Sequence, residues 1–151
     1  MSRTDHYPFC WGCGLGTGGL EFEWRLTGDS LEADHVVGEN FQGAPGMVHG
    51  GIVAALLDEA CGQIARTVLS PAVTSRLEVR YLAPVPVEEP LRISAHLVET
   101  DERRATAEAT ILDESGLVLV HGRAEVTLVR PEHFLSTPRG QARGLDWLPR
   151  D

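Results

Sequence analysis

The sequence of 151 residues contains no long apolar run and no excess of basic residues. Its longest apolar stretch, residues 52–57, is far shorter than the roughly 20 residues that a membrane-spanning helix requires. Lys and Arg total 13 against 22 Asp and Glu, which gives a formal net charge of -9. A nucleic-acid binder normally presents a basic face. We therefore expect neither a membrane nor a nucleic acid as partner, although a local arginine cluster can still bind a small anion.

Cysteine is scarce, with only Cys10, Cys13 and Cys61. An odd number of cysteines without a signal peptide predicts a reducing, cytoplasmic setting and no disulfide framework. Cys10 and Cys13 form a single CxxC, whereas a structural zinc site generally takes four ligands. His6 and His35 could complete such a site, but no second cysteine pair exists. We interpret the pair as packing of an N-terminal arm, and predict no metal and no cofactor.

The length and the 42% of hydrophobic residues fit one domain with its own core. Residues 1–19 are rich in glycine and aromatics, and we expect an arm that folds back without regular structure. From Pro131 onward periodicity is absent, so residues 131–151 are expected to form a surface extension, partly disordered. The predicted domain therefore spans residues 1–130.

Hydrophobic alternation of period two predicts strands, and one segment departs from it. Residues 50–69 are apolar in a helical pattern and are followed by Pro71, which predicts one buried helix. A lone helix of this kind needs a sheet to cover it. The fold class predicted is α+β, a curved antiparallel sheet wrapped around one long central helix. The predicted strands lie near residues 20–25, 31–37, 73–82, 90–99, 103–113 and 117–129, with a loop at 38–48 and a hairpin turn at 113–116.

Asp58 lies inside the predicted helix, directly after Leu56 and Leu57. Its helix face is otherwise formed by small residues, namely Ala54, Ala55, Cys61, Gly62 and Ala65. Burial of an unpaired carboxylate costs several kcal/mol, so such a residue needs a compensating reason. A catalytic carboxylate is one interpretation, and an Asp bonded to loop backbone or solvent is the other. Glu59 turns to a different face and is expected to be solvated or ion-paired.

The helix begins at His49, Gly50 and Gly51. The first N–H groups of a helix have no intrahelical partner, and the helix dipole is positive there, which favours an oxyanion site. Turn glycines and a structural histidine are the alternative. Nine residues of α-helix rise about 13 Å, too far for His49 and Asp58 of one chain to act on one carbonyl. If both serve one site, the residues predict an obligate dimer with sites at its interface.

Residues 41–62, FQGAPGMVHGGIVAALLDEACG, resemble the hotdog-fold thioesterase superfamily, in particular its PaaI-like branch. The resemblance extends through CWGCG, LEFEW and RLEVRYLAPVPV, over roughly residues 8–130. It implies a hotdog fold and hydrolysis of acyl-CoA-type thioesters. It also implies a homodimer at least, with a dimer of dimers expected, and CoA as part of the substrate.

The same resemblance assigns roles to single residues. Asp58 is similar to the acid that acts as general base or nucleophile, and the backbone of Gly50 and Gly51 resembles the oxyanion site supplied by the partner subunit. His49 resembles a histidine that orients substrate or loop. Thr74 resembles a threonine that holds the water, and Gln42 is the nearest match for an amide that precedes the histidine.

One position departs from the pattern, because some branches carry Ser or Thr where this chain has Gly62. Arginines in or beside the strands are candidates for binding CoA phosphates, and we select Arg80 and Arg103, with plain solvation as the alternative. Two further functions stay open. One is a non-catalytic acyl-CoA binding or regulatory module, and the other is a hotdog hydratase or dehydratase, which usually has a longer Pro-rich loop.

Overall fold

A computed structural model describes residues 9–14 and 16–145 of the protein. Single 3₁₀ turns lie at Glu39–Phe41 and Pro131–Leu135. The strands and helices of this part of the chain are β1 (Arg25–Thr27), β2 (Ser30–Val36), β3 (Gln42–Ala44), β4 (Met47–Val48), α1 (Gly50–Ala65), β5 (Ala72–Tyr81), β6 (Pro90–Thr100), β7 (Arg104–Asp113), β8 (Val118–Leu128) and α2 (Pro138–Arg143).

Six strands form one antiparallel sheet in the order β1-β2-β6-β7-β8-β5, while β3 and β4 form a separate short hairpin. Helix α1 contacts β2, β5, β6, β7 and β8, so the sheet curves around it. The predicted sheet around one central helix is confirmed. Strand β5 lies at an edge, paired with β8 on one side.

Small residues on the sheet let α1 lie close to it. Ala105, Ala107 and Ala109 of β7 are all buried beneath the helix, alternating with half-buried polar residues. On β8, a Cβ built at Gly122 would come within 3.0 Å of Leu57. The tight packing of the helix therefore depends on the absence of a side chain at residue 122.

A β-bulge at Ser75 changes which residues of β5 face the helix. Thr74 pairs with Val126 and Arg76 with Glu125, which leaves Ser75 as the extra residue. An extra residue reverses the alternation along a strand. Thr74 before the bulge and Tyr81 after it consequently lie on the helix side, although their numbers differ in parity.

The first predicted strand is wrong over most of its length, since β1 begins only at Arg25. Glu21 has φ 51°, which interrupts the extended backbone. The N–H groups of Leu20 and Glu21 donate instead to the carbonyls of Trp11 and Gly12 in the N-terminal arm. Leu20 and Phe22 are nevertheless buried in the core.

The remaining differences concern the ends of elements. Helix α1 ends at Ala65 and continues as a turn, with Leu69 buried beyond it. The predicted hairpin turn at residues 113–116 is confirmed, with Gly116 at φ 88°. Residues 131–143 contain the 3₁₀ turn and α2, regular structure that their sequence did not predict, and residues 1–8 and 146–151 lie outside the described part. No helix in the described ranges is long and apolar enough to cross a membrane.

Candidate active site

Asp58 lies on the middle of α1, half-buried, beside a cavity of about 120 Å³. Its Oδ1 atom is buried and has no hydrogen-bond partner within the described part of the chain. An unsatisfied buried acceptor costs about 1–3 kcal/mol, so the fold places this oxygen at the expense of stability. The cavity has room for a few water molecules, and its lining includes Glu59, Gly62, Gln63, Thr74 and Val126.

Thr74 lines the same cavity from β5. The bulge at Ser75 follows it directly, and Ser75 donates its own hydroxyl to the Glu125 carbonyl at 3.0 Å. The structure thus brings Asp58 and Thr74, sixteen residues apart in the sequence, to one cavity. Gly62 also borders it, and a Cβ at that position would meet nothing within 4 Å.

Cys61, one helical turn from Leu57, is not a competing nucleophile. Burial, with the charge of Asp58 second, raises the pKa of the Cys61 thiol to about 12. Its Sγ donates to the Ala107 carbonyl at 3.7 Å. A neutral, buried thiol is a poor nucleophile.

The start of α1 has one N–H fewer available than the sequence predicted. Nδ1 of His49 accepts from the Gly51 N–H at 2.9 Å, which makes His49 the N-cap of the helix. The carbonyl of His49 accepts from Ile52 and Val53. For the Gly50 N–H, the described residues provide no acceptor.

A groove of about 520 Å³ runs past this helix start. Tyr81, at the end of β5, lines it and donates its hydroxyl to the Gly50 carbonyl at 2.8 Å. The sequence interpretation missed Tyr81, because nothing in the alternation of β5 indicates that its side chain reaches the helix start. The remaining lining of the groove is largely apolar and includes Gly43, Met47, Val53, Leu82, Pro84 and Val85.

The cavity at Asp58 and the groove at Gly50 have no lining residue in common among those described. Eight residues of α-helix separate the two, a rise of about 12 Å. Within one chain, therefore, the structure brings Asp58 to Thr74 and His49 to Gly50, and keeps the two pairs apart.

Gln42, Arg80 and Arg103 are not among the residues that line the cavity or the groove. The side-chain oxygen of Gln42 accepts from the Gly46 N–H at 3.2 Å and closes the turn between β3 and β4. Arg80 pairs with His121, whereas Arg103 lies at the opposite end of the same strands, next to the Val73–Thr127 pair. Seven residues of strand span about 23 Å, so the two arginines do not form one phosphate cluster within a chain.

The cysteine pair lies against helix α1 and not against His35. The ring of His35 packs on Phe22 with centroids 4.6 Å apart, and burial lowers its pKa. His6 lies outside the described residues. Hydrogen bonding with Cys10, then burial and the charge of Glu59, raise the pKa of the Cys13 thiol. Glu59 therefore faces the arm, whereas we expected it to be solvated or ion-paired.

The chain belongs to the thioesterase superfamily, whose family description matches residues 45–120, about half of its length. Among curated relatives, the acyl-coenzyme A thioesterase THEM4 of Mus musculus is 30% identical over 105 residues, which cover 66% of this chain and 45% of the mouse protein. The protein of the same name from Rattus norvegicus is 29% identical over 97 residues, 62% of this chain and 42% of the rat protein. The chain thus spans somewhat less than half the length of these relatives.

Solved structures confirm the hotdog fold. A thioesterase superfamily protein superposes with a TM-score of 0.67 at 29% identity, over 72% of this chain and 54% of that one. The Escherichia coli PaaI protein of the phenylacetic acid degradation operon superposes with a TM-score of 0.68 at 15% identity, over 74% of this chain and 81% of that one. At the latter identity the similarity shows the fold alone.

Proposed function

We propose that the protein hydrolyses acyl-CoA-type thioesters to the free acid and CoA, with Asp58 as its catalytic carboxylate. The observation that carries this proposal is the buried Oδ1 of Asp58, unpartnered within the described chain, on a residue that lines one small cavity together with Thr74. Membership of the thioesterase superfamily and the names of the mammalian relatives support the same reaction.

In the mechanism that we favour, Asp58 acts as general base. Thr74 holds a water molecule, Asp58 accepts one of its protons, and the oxygen attacks the thioester carbonyl carbon. The Gly50 N–H stabilises the oxyanion of the tetrahedral intermediate. Collapse of this intermediate breaks the C–S bond, and the proton held by Asp58 passes to the departing CoA thiolate. A nucleophilic Asp58, forming an acyl anhydride that water then cleaves, is the alternative.

The oxyanion donor in this mechanism comes from a second copy of the chain. Strand β5 leaves a ten-residue edge open, which is a template for pairing with another strand. Antiparallel pairing of β5 with β5 of a second copy would bring the Ala72–Thr74 end of one strand beside the Tyr81 end of the other. The cavity at Asp58 would then meet the groove at Gly50 of the second copy. The homodimer is the smallest assembly that completes the site, and the expected dimer of dimers requires a further interface.

Substitution of Asp58 by Asn tests the carboxylate while preserving its shape. Loss of a general base should lower kcat by about 10²–10⁴-fold. Thiol release would be measured across short, long and aryl acyl-CoAs, and unfolding by circular dichroism would show that the fold persists. Asp34→Asn is the matched control, because Asp34 is an exposed carboxylate on β2 that pairs with Arg25 and Arg92.

Wild-type turnover by the Asp58→Asn protein on the best substrate would contradict the assignment. Tight acyl-CoA binding by the wild-type protein without thiol release would favour a binding module in its place. A change in enoyl absorbance with 3-hydroxyacyl thioesters would favour a hydratase.

A further inference from the structure

The N-terminal arm brings two thiols against α1 beside a carboxylate. Ligand atoms of Cys10, Cys13 and Glu59 all lie within 4.8 Å of one another. Ligand atoms around a tetrahedral zinc ion are about 3.5–4 Å apart, so small side-chain rotations would bring these three onto one ion. Neither the mechanism above nor the family match, which begins at residue 45, uses these groups.

The arm is built to present both sulfurs on one side. The Gly14 N–H donates to the Cys10 carbonyl at 2.7 Å, which closes the CxxC into a tight turn. Two further hydrogen bonds, from Leu20 to Trp11 and from Glu21 to Gly12, fasten the turn to the chain that follows it. This spacing, with two intervening residues, is the one that zinc-binding cysteine pairs use.

On the helix side, Glu59 is held in place from two directions. Its Oε1 accepts from the side-chain amide of Gln63 at 2.8 Å, and Gln63 is only 6% exposed. Its Oε2 lies against Gly12, where any Cβ would collide with it. A hydrogen bond that orients a carboxylate ligand from behind is a recurrent feature of metal sites. A glycine between the two cysteines allows that carboxylate to reach them.

We propose that Cys10, Cys13 and Glu59 bind one thiophilic divalent cation, zinc before others, with water as the fourth ligand. The cation would fasten the N-terminal arm to α1 one residue from Asp58. Two thiolates and a carboxylate suit zinc better than magnesium or calcium, which prefer oxygen ligands alone. The proposal replaces our prediction of no metal, and it is independent of the proposed hydrolysis.

Metal content is the direct test. We expect the full chain, purified under reducing conditions without added chelator, to contain about one zinc per chain by mass spectrometry. Cobalt should replace it with thiolate-to-cobalt absorption bands. The double variant Cys10→Ser/Cys13→Ser should lose both signals. Cys61→Ala is the matched control, because Cys61 is a buried cysteine that contacts β7 and not the arm, and it should keep them.

The variant Glu59→Gln tests whether Glu59 is a metal ligand or only a packing residue. The amide preserves the size of the side chain but is a far poorer zinc ligand, so a competition titration with a chromogenic chelator should show affinity lower by at least about tenfold. An unchanged affinity would remove Glu59 from the site. Equal zinc content in the wild-type and double-serine proteins would overturn the proposal. A wild-type protein that holds no zinc, with Cys10 and Cys13 reduced or joined as a disulfide, would overturn it as well.

Discussion

Two N–H groups lie at the start of α1, and His49 leaves one of them available. Gly51 donates to the imidazole of its own chain, whereas Gly50 has its carbonyl held by Tyr81 and its N–H without an acceptor among the described residues. Of the two glycines, Gly51 is therefore capped, and Gly50 keeps an N–H that can donate to a ligand. The hydroxyl of Tyr81 holds the peptide group between Gly50 and Gly51, which follows this N–H.

Replacement of Gly50 by Pro removes the Gly50 N–H and no other N–H group of the helix start. Proline is tolerated at the first position of a helix, and His49 already has the extended backbone that a residue before proline adopts, with φ -59° and ψ 135°. Loss of an oxyanion donor should lower kcat by about 10²–10³-fold. Gly50→Ala keeps the N–H, and its Cβ would meet Tyr81 at an ordinary 3.6 Å, so its loss should be much smaller.

Steady-state kinetics on both Gly50 variants and thermal unfolding would measure the difference. Equal kcat values for the Pro and Ala variants would exclude the Gly50 N–H as the donor.

The sequence predicted that Asp58 and Thr74 belong together, but it did not predict the contacts of His49 and Glu59. The cavity that joins Asp58 and Thr74 follows from a carboxylate inside an apolar helix and from the family resemblance. The capping of Gly51 depends on the rotamer of His49, and the position of Glu59 on a turn formed forty-five residues earlier in the sequence. Hydrophobic periodicity contains no information on the capping of Gly51 or on the position of Glu59, so neither could be predicted from the sequence.

Among the elements, β5 shows why alternation alone could not assign faces. A strict period of two from Thr74 would place Tyr81 on the outer face of the sheet. The bulge at Ser75 reverses the alternation and brings Leu77, Val79 and Tyr81 to the side of α1. At Leu20 and Phe22 the alternation predicted a strand, but both residues are buried without belonging to one.

Two glycines on facing elements provide a test of how α1 packs. A Cβ at Gly62 meets open space, so Gly62→Ala should raise the free energy of unfolding by about 0.5–1 kcal/mol through the lower entropy of the unfolded chain. A Cβ at Gly122 would lie 3.1 Å from the Cβ of Leu57. Overpacking should therefore make Gly122→Ala less stable by about 1–3 kcal/mol.

Urea denaturation of both variants would measure these changes. The pair serves as its own control, since the substitution is the same and only the space around it differs. Destabilisation by Gly62→Ala comparable to that of Gly122→Ala would mean that residue 62 is not open as described.

For the whole molecule, the sheet order matters most, because it leaves β5 at an edge with the Asp58 cavity towards one end and the Gly50 groove at the other. In the proposed mechanism, a two-fold axis across β5 would complete such a divided site twice. The rise along the helix, known from the sequence, and the open edge of β5, known only from the structure, both favour the proposed dimer.

Mixed dimers test this division directly. Asp58→Asn and Gly50→Pro each damage both sites of their own homodimer. A heterodimer of the two concentrates both defects in one site and leaves the other with an intact Asp58 and an intact Gly50. Random pairing of equal amounts makes half of the dimers mixed, each with one working site, so thiol release should recover to about a quarter of the wild-type rate.

Co-expression with two affinity tags would yield the mixed dimer, and Asp58→Asn mixed with Asp58→Ala should recover nothing. If the mixed dimer were as inactive as its parents, Asp58 and Gly50 could not belong to a site shared between two chains.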